Sequence, residues 1–391
     1  MAAIFAAKHG ADVVLLERTK DGGRKILISG GGRCNVLPAR VDETRFVTDS
    51  SPNLLRKMVR SWPLAEQIAF FEQELGIPLA EETESAKLFP VSNKARDVRD
   101  RLLEHARSHE VAVLMNAHVI RMAPRDGGWR IEQTLGAAID VDRVIVASGG
   151  LSVPNTGSDG FGLTALAAHG HTIHPTYAAL TPLTADPAPF ASLAGVSLTV
   201  TITAKSENRS ATATGGFLFT HHGYSGPAVL DVSHVAVRSL VEKGPKARIA
   251  VRWSQLTDAD WEKAFKPSGA RTVGGAVRAE MPERLAIALI ETASVDPLRT
   301  LTELRRDERL RLIEMLVRGE LPWTCDEGYK KAEVTGGGVD LAEIDPRTML
   351  SRKRPNLFLC GEVLDAFGPI GGYNFLWAWA TGRAAGIGAA S

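Results

Sequence analysis

At 391 residues the chain exceeds one ordinary domain, and 44% apolar with 23% charged residues is the composition of a globular protein with two or three domains. A formal charge of +1 gives no electrostatic footprint for nucleic acid or a membrane, so neither is expected as a partner and a small-molecule substrate is. Cys34, Cys325 and Cys360 are odd in number and far apart, which indicates neither a disulfide framework nor a zinc site, and no metal is expected. No apolar run approaches the roughly 20 residues of a membrane span. Lys8, His9 and Asp12 interrupt the N-terminal segment, so a signal peptide is lacking and the cytoplasm is the expected compartment.

Residues 1–9 are Ala-rich and helical in pattern, with Gly10 placed as a C-cap. Asp12 to Glu17 reads as a buried parallel strand ending in an acid, as in the second strand of a dinucleotide fold, where the carboxylate takes a ribose hydroxyl pair. The stretch Gly23 to Asn35 follows, and the chain is organised around it. Gly30, Gly31 and Gly32 leave backbone without Cβ atoms, able to close on an oxyanion or lie against a flat ring. Arg24, Lys25 and Arg33 add positive charge suited to a pyrophosphate. A flexible surface loop is the plain alternative, and the acid-ended strand just upstream favours the cofactor reading.

Asn53 to Arg60 and Leu64 to Leu75 are predicted helices, Lys87 to Ser92 a strand-like link, and Asn93 the cap of a helix to about Ser108. Val111–Leu114, His118–Met122, Trp129–Gln133 and Val141–Ala147 read as strands, the later ones as a meander with a turn at Asp126-Gly127-Gly128. Val119 is a candidate for backbone contact with an adenine, and His118 is read as a strand histidine. Phe161 to His169 is a predicted helix. From about Leu180 the pattern turns β-rich: Ser197 to Thr203 alternates apolar and hydroxyl residues, and strands and turns continue through Pro227 and Arg248 to Trp253. Beyond a Thr257 cap the chain is helical to about Leu321, broken at Pro267, Pro282 and Pro297. Ala332 to Val339 reads as a strand entering a glycine turn, Asn356 to Glu362 as a buried strand ending in Gly and an acid, and Phe375 to about Gly386 as a helix opened by Gly371-Gly372-Tyr373-Asn374.

The Gly23–Asn35 stretch, Thr220-His221 to Gly226-Pro227, and Gly361-Glu362 through Asn374 together resemble the HI0933-like (YhiN/BaiN) flavoproteins over nearly the whole chain. The resemblance implies an α/β fold: a Rossmann-like FAD-binding domain in two parts, 1–180 and 331–391. An inserted substrate domain lies at 181–330, β-rich over 181–255 and helical over 256–330. FAD is then the implied cofactor, with NAD(P)H as a transient reductant that has no domain of its own. The expected contacts are Glu17, Arg18, Arg24, Lys25, Ser29, Gly30, Gly31, Gly32, Arg33, Asn35 and Val119 toward the adenosine and pyrophosphate. Ala147, Ser148 and Gly149 stand where such proteins carry Ala-Thr-Gly, and Gly361, Glu362, Gly371, Gly372, Tyr373 and Asn374 lie toward the flavin. The acid–base candidates are His221, Tyr224 and Tyr373, with turn polarity the competing explanation for His221; Cys34 has no partner thiol and reads as a small buried residue.

Two other classes stay open: a flavin-type RNA-modification protein, which should show a basic face, and a truncated or non-catalytic paralogue. In the resembling family a strand and a G-x-G-x-x-G turn precede the position of Met1, and no Ser, Thr, Asp or Asn caps the first helix here. The expectation is a native start about 15 residues upstream. Intact mass of the protein from its native source checks it: a mass matching a start at Met1, together with stoichiometric FAD, would refute the expectation.

Overall fold

Val14–Glu17 forms a strand that pairs in parallel with Ala112–Met115 in the computed structural model, which describes residues 1–391, with Val14 opposite Ala112 and Glu17 opposite Met115. A second parallel pair joins Val144–Val146 to Leu357–Leu359. Each is a two-stranded sheet, and a crossover of the α/β kind is what places such sequence-distant segments side by side. The chain divides into a first unit of residues 1–176 with 333–391 and a second of residues 177–332.

The first unit is held by its last helix, Tyr373–Ala390. Gly386 and Gly388 let neighbouring backbone approach: a Cβ would lie 2.3 Å from the Ala2 carbonyl oxygen at Gly386 and 2.4 Å from that of Thr348 at Gly388. The Ala2–Lys8 helix therefore packs close along it, and its Ile4 and Phe5 are buried, Phe5 lying edge-on to Trp62. The 64–75 helix exists but ends as a π turn over Phe70–Glu74. Lys94 rather than Asn93 occupies the N-cap of Ala95–Ser108; Asn93 has φ of 53°, so its backbone is turned left-handed before the helix starts. The 141–147 segment splits, because Ile139–Val141 closes the antiparallel meander whereas Val144–Val146 turns away to the parallel pair. Gly336, Gly337 and Gly338 lie within the buried strand Val334–Val339 and form no turn. Their lack of side chains serves packing: a Cβ on Gly337 would sit 2.4 Å from the Pro175 carbonyl oxygen.

The second unit is built on a seven-stranded sheet in which Ser197–Lys205 lies between Ser210–Phe219 and Arg248–Arg252, all antiparallel. Alternation sends Val200, Ile202 and Ala204 inward, where Phe217, Phe219 and Trp253 also lie, while Thr201–Thr214 and Thr203–Thr212 hydroxyl pairs (each 2.9 Å) run along the other face. The sequence reading misses the Pro227–Val241 helix, although Pro227 at its first position after Gly226 is a helix-start signal. Thr257 caps the Asp258–Ala264 helix in a reciprocal capping box with Asp260.

Burial, with Arg238 and then Arg209 adding repulsion, lowers the pKa of His234 to about 4 inside this unit. The unfolded value is near 6.5, so neutral His234 favours the fold above that pH, and the benefit is lost as pH falls from 6.5 toward 4. Stability should drop by about 1.4 kcal/mol per pH unit across that window. Urea midpoints between pH 7 and 4.5 check this, and His234→Gln should flatten the dependence.

Candidate functional site

Glu17 closes its strand with its carboxylate already oriented: Oε1 accepts from the Thr19 N–H at 2.7 Å and the Thr19 hydroxyl at 2.6 Å. Beside it, Arg18 pairs with Asp159, and Arg24 donates through Nε to Asp21 at 2.7 Å. Arg18, Thr19, Lys20, Arg24, Asn116 and Asn155 line an open cleft next to this strand end. Val119 lies half-buried at the start of its strand, opposite Gln133.

The Gly-rich stretch is more structured than a loop. Arg24–Ile28 makes a short helix, after which Gly30, Gly31 and Gly32 all take positive φ (56°, 67° and 87°), a left-handed turn that side chains would resist. A Cβ on Gly30 would lie 2.9 Å from Phe89, whereas nothing lies within 4 Å of one on Gly31. Ser29 bonds its own helix, its hydroxyl donating to the Ile26 carbonyl at 2.8 Å. Arg33 turns away from the other two cations, meeting Glu82 at 3.0 Å and stacking 4.1 Å over Phe89. Cys34 is fully buried, and burial pushes its thiol up to about 11, which leaves it protonated and inert. Asn35 bridges two glycine motifs: its amide donates to the Leu37 carbonyl at 3.1 Å and accepts from the Gly372 N–H at 3.0 Å.

Lys25 points into a cluster that the sequence did not assemble. Its ammonium lies 2.5 Å from the Ser152 hydroxyl and 3.6 Å from Glu362 Oε2. Glu362 Oε1 accepts from that hydroxyl at 2.7 Å and from the Thr335 N–H at 2.9 Å. Thr335 Oγ1 accepts in turn from the Leu151 and Ser152 N–H groups at 2.7 and 3.1 Å. Gly150 is obligatory here, since a Cβ would lie 2.4 Å from Thr335 Oγ1. Ala147 and Ser148 are exposed just before this cluster, and Gly149 turns the chain with φ of 74°. Ser152 and Thr335 carried no motif of their own; their only signal was adjacency to glycine pairs.

The 373–390 helix latches the remaining pieces. Trp377 donates to the Gly361 carbonyl at 3.0 Å, Thr381 accepts from the Gly361 N–H at 3.0 Å, and Trp379 donates to the Val36 carbonyl at 3.2 Å. The tryptophans are core, and their N–H groups also position cofactor-motif backbone. Gly372, the N-cap, has φ of 91°, and the first turn carries no acid, so the positive end of the helix dipole is uncancelled by side chains. Asn374 holds the Gly368 loop through both amide atoms, at 2.9 and 3.0 Å. Gly371 has φ of 104° beside Lys87.

The acid–base candidates separate. Tyr373 is buried, its hydroxyl accepting from the Asp42 N–H at 3.2 Å and donating to the Arg40 carbonyl at 3.3 Å, so it clips a loop. Tyr224 is 1% exposed in the aromatic core of the second unit, tilted against Phe217, and burial drives its pKa upward; the structure places it as a packing residue. His221 is exposed.

Two groups of residues have chemistry that a dinucleotide can use: an oriented carboxylate on a strand end, able to accept from hydroxyls, and a Lys–Ser–Glu–Thr cluster beside the positive-φ Gly149 and Gly361. The fold and the donor set are those of an α/β flavoprotein of the FAD-dependent oxidoreductase class. The chain belongs to the HI0933-like family, whose Rossmann-domain model matches residues 1–388. It is 31% identical to the ribosomal RNA dihydrouridine synthase of Escherichia coli (strain K12), over 96% of this chain and 92% of that protein. It is 30% identical to the 3-dehydro-bile acid delta(4,6)-reductase of Clostridium scindens, over 100% of this chain and 96% of that protein. Among solved structures, a Rhodococcus jostii 3-ketosteroid-delta4-(5alpha)-dehydrogenase aligns with TM-score 0.47 and 16% identity, covering 100% of this chain and 94% of that one. No helix is long and apolar enough to cross a membrane.

Glu362→Ala leaves the Thr335 N–H without its acceptor, at about 1–3 kcal/mol, and the Ser152 hydroxyl with only the longer bond to the Glu333 carbonyl at 3.4 Å, whereas Glu362→Gln keeps an acceptor. Gly372→Val places a Cβ 2.4 Å from the Leu37 carbonyl carbon in a left-handed backbone, an overpacking cost of about 1–3 kcal/mol before strain. That contact with protein backbone, not a ring, is why glycine is required. Flavin occupancy after gel filtration, with thermal midpoints, should fall for Glu362→Ala and Gly372→Val and hold for Glu362→Gln.

Proposed function

We propose that this protein is an FAD-dependent reductase of carbon–carbon double bonds conjugated to a carbonyl group. The observation that supports it most is what the near-full-length relatives of two different activities have in common. Dihydrouridine is uridine saturated at its C5–C6 bond, which is conjugated to a ring carbonyl. A 3-dehydro delta(4,6) steroid carries its double bonds in conjugation with the 3-ketone. The substrates named for those proteins differ in size and charge, yet the bond type is shared.

FAD supplies hydride chemistry when bound, and NAD(P)H is the proposed reductant. The chain's residues bind, orient and move protons. Glu17 is proposed to take the adenosine ribose, and Glu362, Ser152 and Lys25 the polar linkage between the flavin and its phosphates. The Tyr373–Ala390 helix end would stabilise negative charge on the reduced ring. Conjugate reduction needs one proton delivered to the carbon next to the carbonyl. His221 is the candidate donor through an imidazole nitrogen, because its ring is exposed while the hydroxyl of Tyr373 is engaged and Tyr224 is enclosed. The near-zero net charge led to an expectation of no nucleic-acid partner; the ribosomal RNA dihydrouridine synthases among the relatives make RNA a substrate to be tested alongside steroids.

Flavin-loaded enzyme, reduced anaerobically and mixed with uridine-containing ribosomal RNA fragments or 3-keto-4-ene steroids, tests the reading through reoxidation of the flavin absorbance. At least one of the two should reoxidise it faster than buffer, with His221→Gln slowing turnover by about 100-fold or more at unchanged flavin content. Heat-released cofactor should run as FAD, not FMN. Reoxidation by neither class would overturn the proposal.

A further inference from the structure

On the side of the first unit formed by Ala2–Lys8, the π turn Phe70–Glu74 and the end of Ala95–Ser108, three metal-competent side chains converge. Glu74 is the last residue of the π turn; His105 lies in the last turn of the 95–108 helix and His109 is its C-cap. One ligand atom from each of the three lies within 4.8 Å of the others. The His105 Nε2 atom is already 2.9 Å from Glu74 Oε1. The two imidazoles meet edge to face with centroids 4.7 Å apart, and Phe70 packs against the His105 ring and fixes its plane.

We propose that Glu74, His105 and His109 form a binding site for a divalent transition metal, with zinc the cation this donor set favours. Two imidazoles and one carboxylate are a recurrent zinc ligand set, with water completing a tetrahedron. Bond lengths near 2.0–2.1 Å put tetrahedral ligands about 3.3 Å apart, so rotamer adjustments of roughly 1.5 Å close the site. The four-residue spacing of the histidines brings both rings to one helix face. The position is also electrostatically apt, because the helix C-terminus carries partial negative charge that favours a cation. Lys8 now pairs with Glu74 and rests over the Phe5 ring. It acts as a built-in competitor that a metal must displace, and its side chain is exposed enough to swing into water. Cysteine spacing gave the sequence no reason to expect a metal, because the ligands here come from a turn and a helix 31 positions apart.

The competition gives the test its discrimination. Zinc chloride titrated into the 391-residue protein against a chromophoric chelator should show one equivalent bound, with a rise in the thermal midpoint. His105→Ala and His109→Ala should each weaken binding by more than about tenfold, the scale reached by loss of outer-sphere partners alone. Lys8→Gln should tighten it. Two histidine variants and one lysine variant guard against the misfolding of any single one. Unchanged zinc affinity in both histidine variants, loss of binding in Cys325→Ser instead, or weaker binding in Lys8→Gln would each overturn the proposal.

Discussion

The first unit depends on the way one helix reaches backbone that the chain leaves far apart. From Tyr373–Ala390, two indole N–H groups and one hydroxyl bond the turns at Val36 and Gly361. The Val36 carbonyl and the Gly361 N–H lie outside any ladder, while the Gly361 carbonyl takes the indole in addition to the Leu364 N–H at 3.2 Å. Leaving a buried group such as the Val36 carbonyl unmet costs about 1–3 kcal/mol, so the helix fixes these turns as well as filling the core. Its glycines do the complementary job, Gly386 letting the Ala2–Lys8 helix come into backbone contact. Apolar and buried around most of its circumference, the helix uses large side chains at some positions and none at others to serve as both core and scaffold.

Charge in the site is arranged before any ligand arrives. Arg24, Lys25 and Arg33 each face a carboxylate, respectively Asp21, Glu362 and Glu82. A free cationic loop would repel itself and leave its side chains to wander; pairing holds them at the cost of field strength toward an incoming anion. Lys25 differs from the other two because it shares a hydroxyl with its carboxylate, so its position is set by geometry as well as Coulomb attraction.

Much of this was legible in the residues. The acid-ended parallel strand at Glu17 and the glycine motifs at 30–32, 361 and 371–372 were all visible, but the strand is not buried as its apolar run suggests: Val14 is 40% exposed and Leu15, Leu16 and Glu17 are half-buried. The partners of those motifs were not visible. Ser152 and Thr335 are ordinary hydroxyl residues, and only a contact between segments 183 positions apart gives them a role. Trp377 and Trp379 read as core because hydrophobicity dominates their pattern, and the direction of an indole N–H is invisible to it. The Pro227–Val241 helix went unread for a different reason. Its residues are buried along much of its length, so it lacks the one-sided alternation by which a surface helix announces itself.

The bond between Ser152 and Glu362 spans 210 positions of chain, and the second unit lies within that interval. Synthesis at about 5–20 residues per second means that a ribosome spends roughly 10–40 s between the two halves of this cluster. For that time the Lys25 and Ser152 side of the site stands exposed without its acid, while the intervening unit has its own sheet and core to complete. The Lys25–Ser152–Glu362 cluster is thus a late product of translation, and a chain arrested before Glu362 has the whole second unit synthesised and this cluster unfinished.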